Sequence, residues 1–159
     1  MERALHIVVL DRSSVGEDVS VEPLKKYGEV TFHMTTKDEE AAERVKDADI
    51  IIVNKTPMNA DTLDGASHLK LICEFATGFD NVDLDYCRKR GIPVVNVVNY
   101  STAAVAQHTI ACVLYILEKL RYYDDYVKSG AYGSQPRFSH FGLPYSELDG
   151  KTWGIVGMG

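Results

Sequence analysis

Four short stretches of the sequence combine residue types that hold anions. "FATGFDNVD" (Phe75 to Asp83) places Gly78 in a turn, where the chain approaches a ligand closely and successive backbone N–H groups form an anion-binding nest. "NKTP" (Asn54 to Pro57) offers the positive charge of Lys55. "NVVNYSTAAVAQ" sets Asn99, Tyr100, Ser101 and Thr102 at the start of a helix, whose positive end suits a carboxylate or phosphate. "KTWGIVGMG" runs from an apolar segment, Trp153 to Val156, into Gly157-Met158-Gly159, as a buried strand enters a glycine turn built for phosphate. Each also has a plain structural reading. Gly78 permits a turn, Asp80 and Asp83 cap the next helix, and Lys55 is solvated. The convergence of the first three stretches at one sheet edge favours a small-anion site.

Other reactive residues offer less. His6 and His33 lie in or near strands, His108 is one turn into a helix, and His140 stands in a connector with no evident partner. Cys73, Cys87 and Cys112 share no metal-ligand spacing; Cys73 and Cys112, in apolar runs, read as small core residues. No metal site is expected.

The elements that must position these residues alternate from the start. "LHIVVL", "EVTFHM", "DIIIVN", "LKLICEF" and "IPVVNV" are short apolar runs rich in β-branched residues. Between them lie "EPLKKYG", a helix capped by Thr36 over "KDEEAAERVKDA", "NADTLDGA" and "DLDYCRKRG". Five strands separated by helices predict a flavodoxin-like, doubly wound parallel sheet over residues 1–100. "STAAVAQHTIACVLYILEKLRYYDDYVKSG" then reads as one long helix, apolar on most sides through Leu117, followed by a turn-rich connector to residue 150. Residues 151–159 open a second, Rossmann-type unit. A phosphoacceptor domain is excluded because Asn54-Lys55 stands where a magnesium-binding carboxylate is needed. A flavodoxin is excluded because "DRSSVGED" carries three acidic residues where a phosphate would sit.

The 159 residues are 45% hydrophobic and 25% charged, with a net charge of −6. No basic patch outweighs the 23 acidic residues, so neither nucleic acid nor an anionic membrane is an expected partner. The longest apolar stretch, Ile110 to Leu117, falls short of the ~20 residues of a membrane span. A reducing, cytoplasmic setting is expected.

"FATGFDNVDLDYCRKRGIPVVNV", "NYSTAAVAQHTIACVL" and "ELDGKTWGIVGMG" resemble the D-isomer-specific 2-hydroxyacid dehydrogenases, in that order and across essentially the whole chain. "NKTP", "VAQ" and "PYSELDGKT" look most like the glycerate dehydrogenase (hydroxypyruvate reductase) branch, and the Tyr100-Ser101 pair also resembles D-lactate dehydrogenases. Phosphoglycerate dehydrogenases place an arginine where Glu74 stands, and a carboxylate there would repel a phosphorylated substrate.

The resemblance implies a two-domain enzyme reducing a small 2-oxo acid with NAD(H). It assigns the substrate carboxylate to Ala76, Thr77 and Gly78, with Asn54, Lys55 and Tyr100 nearby. Val105, Thr109, Gly157 and Gly159 fall to the cofactor side. The family's catalytic arginine, carboxylate and histidine lie beyond Gly159, and none of the five histidines present matches that histidine's place. The chain therefore reads as cut inside the cofactor loop and inactive alone, with its apolar helix predisposed to self-association, as a homodimer or in another form. An NAD-sensing co-repressor or a standalone small-anion binder is the alternative from another class.

Overall fold

The computed structural model describes residues 3–157. The chain divides into two compact units, Met1–Tyr100 and Ser101–Gly159. In the first, β1 (Leu5–Val9), β2 (Gly28–Phe32), β3 (Ile50–Val53), β4 (Leu71–Glu74) and β5 (Val94–Val95) form one sheet in the order β2-β1-β3-β4-β5. Every pairing is parallel. This is the expected flavodoxin-like order, reached because each apolar run must return to the same sheet edge through a crossover. All five strands therefore point their carboxyl ends the same way.

One face of the sheet buries Val8, Leu10, Ile51, Val53 and Ile72 against Val45, Leu63 and Cys87. Those three come from α1 (Asp38–Val45), α2 (Ala60–Leu63) and α3 (Leu84–Arg90). The other face buries Ile7, Val9 and Ile52, with Leu24 packed against them. Leu24 belongs to Glu22–Lys26, which is a 3₁₀ turn rather than an α-helix. Pro23 and only five residues before β2 leave no room for a longer ladder. Cys87 is the buried cysteine; Cys73 is half-buried and Cys112 exposed.

Thr36 does not cap α1. Its hydroxyl donates to Leu10 O (2.7 Å) and accepts from Arg44 (2.7 Å), while Lys37 occupies the cap position and donates its N–H to Glu40 (3.2 Å). Asn59 and Asp83 cap α2 and α3, accepting from Thr62 N (3.2 Å) and Tyr86 N (2.9 Å). Gly91 ends α3 at φ 69°, a left-handed conformation suited to glycine.

In the second unit the single long helix is broken. Helix α4 (Thr102–Leu117) and α5 (Leu120–Lys128) meet at 67°, with Lys119 between them in the left-handed region at φ 53°. No glycine or proline marks the break. The aromatic cluster explains it: the bend lets α5 stack Tyr126 on His140 at 3.7 Å and share a hydrogen bond between Tyr122 and His140 Nε2 (2.7 Å). A short α6 (Ala131–Ser134) follows. Residues 151–157 form no strand, contrary to the expectation for Trp153 to Val156; among the described residues nothing pairs with them, and an isolated strand has no ladder to hold it. No single helix among the described residues is long and apolar enough to cross a membrane.

Lys119 holds a conformation that costs an L-residue about 1 kcal/mol and costs glycine little. Lys119→Gly should raise the stability of the second unit by about 0.5–1 kcal/mol and Lys119→Val should lower it, as read by urea denaturation followed through the tyrosine signal.

Candidate functional site

The carboxyl edge of the sheet carries two adjoining turns with opposite hydrogen-bond economies. The turn after β3 has its backbone N–H groups engaged. Asp11, just past β1 and buried, accepts from the backbone N–H groups of Asn54 (3.0 Å), Lys55 (2.9 Å) and Thr56 (3.2 Å), and from the Thr56 hydroxyl (3.1 Å). Burial pushes the Asp11 carboxyl up, but these bonds outweigh it and hold the group below its ordinary value. Sequence reasoning placed no role on Asp11, because its partners lie more than 40 residues away.

The turn after β4 is different. The carbonyl of Ala76 accepts from Val97 N (3.0 Å), that of Thr77 from Asn96 Nδ2 (2.7 Å), and the Thr77 hydroxyl donates to Val97 O (2.8 Å). Among the described residues, the N–H groups of Ala76, Thr77 and Gly78 have no protein acceptor. Thr77 and Gly78 are exposed. The backbone at Gly78 is not left-handed, and a Cβ there would meet only Asp80 Oδ2, at 3.8 Å. The fold of this unit does not demand a glycine at that place.

The two turns are joined. Asn81 Nδ2 donates to Thr56 O (3.2 Å) and to Glu74 Oε1 (2.9 Å), and Met58 and Asp83 bond across through Met58 N to Asn81 O (2.8 Å) and Asp83 N to Met58 O (2.9 Å). Glu74, at the end of β4, is 2% exposed, and its Oε2 has no partner among the described residues. Burial lifts its carboxyl to about 6; the Asn81 bond opposes this, the Asp11 charge adds to it, and Lys55 opposes it. Asn54 Oδ1 is likewise enclosed and unpartnered, and the Lys55 side chain is exposed. Tyr100 is exposed at 64%.

In the second unit, Thr109 and Ile110 of α4 line a cavity of about 650 Å³ together with Trp153, Gly154, Ile155 and Val156. Thr109 donates its hydroxyl to Val105 O (2.8 Å), and Val105 is exposed on the same helix. Gly157, next along, has φ 100°, which L side chains rarely adopt. Gly159 lies outside the described residues. His6 is bonded to Thr31 (2.9 Å) and Asp47 O (3.2 Å), His140 is stacked in the aromatic cluster, and His108 lies 3.4 Å from Cys112 on α4. No group of three or more metal-ligating side chains occurs among the described residues.

The model of the D-isomer specific 2-hydroxyacid dehydrogenase catalytic domain matches residues 7–152. The chain belongs to that family. It is 35% identical over 159 residues to a hydroxypyruvate reductase of Blautia hydrogenotrophica, covering 98% of this chain and 49% of that protein. A glycerate dehydrogenase of Methylorubrum extorquens is 35% identical over 156 residues, covering 96% and 48%. The crystal structure of D-lactate dehydrogenase from Aquifex aeolicus, complexed with NAD and lactic acid, superposes with a TM-score of 0.67 at 31% identity, covering 90% of this chain and 41% of that one. The chain thus spans about half the length of the curated dehydrogenases it matches.

Removing the Asp11 carboxylate leaves buried donors unpaired, so Asp11→Ala should cost about 2–4 kcal/mol at neutral pH. Because its folded pKa lies below the ordinary 3.8, the stabilisation is present above that value and lost as the pH falls through the lowered one. Wild type and variant should therefore converge in acid, as read by denaturation midpoints across pH.

Proposed function

We propose that this chain supplies the substrate-holding part of an NAD(H)-dependent dehydrogenase acting on a small D-2-hydroxy acid, with hydroxypyruvate and D-glycerate as the favoured pair. The observation that carries the reading is the set of unpartnered N–H groups at Ala76, Thr77 and Gly78, at the carboxyl edge of a parallel sheet in a member of this family. Three successive amides with no protein acceptor suit the carboxylate of a 2-oxo acid, and a bare Gly78 lets that carboxylate come close to the backbone. Lys55 and Asn54, whose backbone N–H groups bond Asp11 at the same edge, would supply a positive charge and an amide side chain. Tyr100 offers a hydroxyl to the remaining oxygens.

The residues of the second unit fit a nicotinamide cofactor. Thr109 and Trp153 to Val156 frame an apolar cavity, Val105 stands one turn away, and Gly157 adopts the backbone conformation of a glycine turn. Val105, Thr109 and Gly157, with Gly159, would hold it, and when bound it supplies the hydride. This chain's own part is to bind and orient the acid. Its histidines at 6 and 140 are engaged in structural contacts. The favoured substrate follows the similarity to the Blautia and Methylorubrum proteins. The likeness to the Aquifex D-lactate dehydrogenase favours pyruvate as the second reading.

The test joins this chain to the C-terminal half of the Blautia reductase. The 159 residues alone should not oxidise NADH with hydroxypyruvate, and the fusion should. In the fusion, Gly78→Ala should raise KM for hydroxypyruvate about tenfold while leaving thermal stability nearly unchanged, since the added methyl makes only an ordinary contact with Asp80 in the fold but blocks the acid. Turnover by the chain alone, or an unchanged KM in the variant, contradicts the reading. A lower KM for pyruvate than for hydroxypyruvate selects the second substrate.

A further inference from the structure

Among the described residues, Glu74 is built unlike the other buried carboxylates of the first unit. Asp11 accepts four donors, and Asp49 accepts His6 N (2.8 Å), Arg3 (2.6 Å) and Lys70 (3.1 Å). Glu74 is as deeply buried, yet it has one neutral donor, Asn81, and an enclosed second oxygen with none. A buried carboxylate so poorly paired does not strengthen a fold; a neutral amide of the same shape would keep the Asn81 contact without the desolvation cost. The negative charge therefore answers to something other than packing. Glu74 and Asn81 clasp the two ends of the turn that carries the three unpartnered N–H groups.

We propose that Glu74 is a specificity-determining, positioning residue whose buried charge limits how much negative charge the neighbouring turn accepts, so that the site takes 2-oxo acids with a single carboxylate and rejects dianions. This rests on the turn at Ala76 to Gly78 being the carboxylate site. Through Asn81, Glu74 fixes the turn's shape; through its charge, it opposes the anion that the turn attracts. A monoanion is held by three amides against one buried charge. A second carboxylate on the same ligand adds repulsion with no further amide to offset it.

The charged groups around Glu74 make the effect titratable. Asp11 faces it from the end of β1, Lys55 from the turn after β3, and Asp80 lies on the clasped turn itself. Asp11 is held below its ordinary value and stays ionised, whereas Glu74 changes charge near pH 6. Protonation removes the opposing charge, so anion binding strengthens as the pH falls through about 6.

The test uses the 159-residue chain, ¹⁵N-labelled and titrated with pyruvate, ionised throughout the range, and with 2-oxoglutarate, compared from about pH 6 upward, where its distal carboxyl is ionised as well. In the wild type, pyruvate should shift the amides of residues 76–78, and its Kd should rise about five- to tenfold between pH 5 and pH 7.5 with a midpoint near 6. Glu74→Gln should keep the low-pH Kd across the range and narrow the preference for pyruvate over 2-oxoglutarate by a similar factor. If Glu74→Gln does not fold, the ¹³C titration of the Glu74 carboxyl in the wild type decides: its midpoint must coincide with that of the Kd. Binding at the turn with the same pH dependence and preference in both proteins, or midpoints that do not coincide, overturns the role of Glu74 and leaves the turn intact. No shift at residues 76–78 at either pH removes the carboxylate site itself, and this proposal with it.

Discussion

Every backbone N–H at the carboxyl edge of a parallel sheet must find an acceptor, and two neighbouring turns here meet that demand in opposite ways. After β3, three amides converge on Asp11. After β4, the carbonyls and the Thr77 side chain are bonded inward while the amides of residues 76–78 are left without a protein partner. The first arrangement is closed, and a ligand would have to displace a buried carboxylate to use it. The second is open to water, which an incoming carboxylate can replace at little cost. The fold has thus spent a side chain to make one turn rigid and kept the next one available.

The same edge holds two acidic groups pushed in opposite directions. Asp11 lies below its ordinary range because its donors outweigh burial, and Glu74 lies above because burial is opposed by the single Asn81 bond and the Lys55 charge. Both are buried, and Asn81 and Thr56 connect them. Such a pair makes the edge polar and sharply defined without making it positive. An anion held there depends on backbone amides and on Lys55, and stays sensitive to each nearby carboxylate.

Much of this was legible in the sequence, for local reasons. Short β-branched runs separated by capped helices fix the parallel order, and the Gly78 turn stands out because glycine and acidic caps punctuate it. Asp83 announces the start of α3 and Gly91 its end, both through bonds within a few residues. What was not legible depends on distant partners. Asp11 matters because of residues 54–56, and Thr36 faces Leu10 and Arg44 instead of its own helix. The break at Lys119 carries no glycine or proline and follows from the packing of α5 tyrosines on His140. The run from Trp153 to Val156 has the composition of a strand, but composition cannot supply the neighbour that a strand requires.

The division of labour between the turns is open to amide hydrogen exchange on the 159-residue chain, with and without saturating pyruvate. The account predicts strong protection at Asn54, Lys55 and Thr56 in both conditions. It predicts near-free exchange at Ala76, Thr77 and Gly78 that slows markedly once the acid is bound. Protection at those three amides in the free chain, or exchange there that pyruvate leaves unchanged, would contradict it.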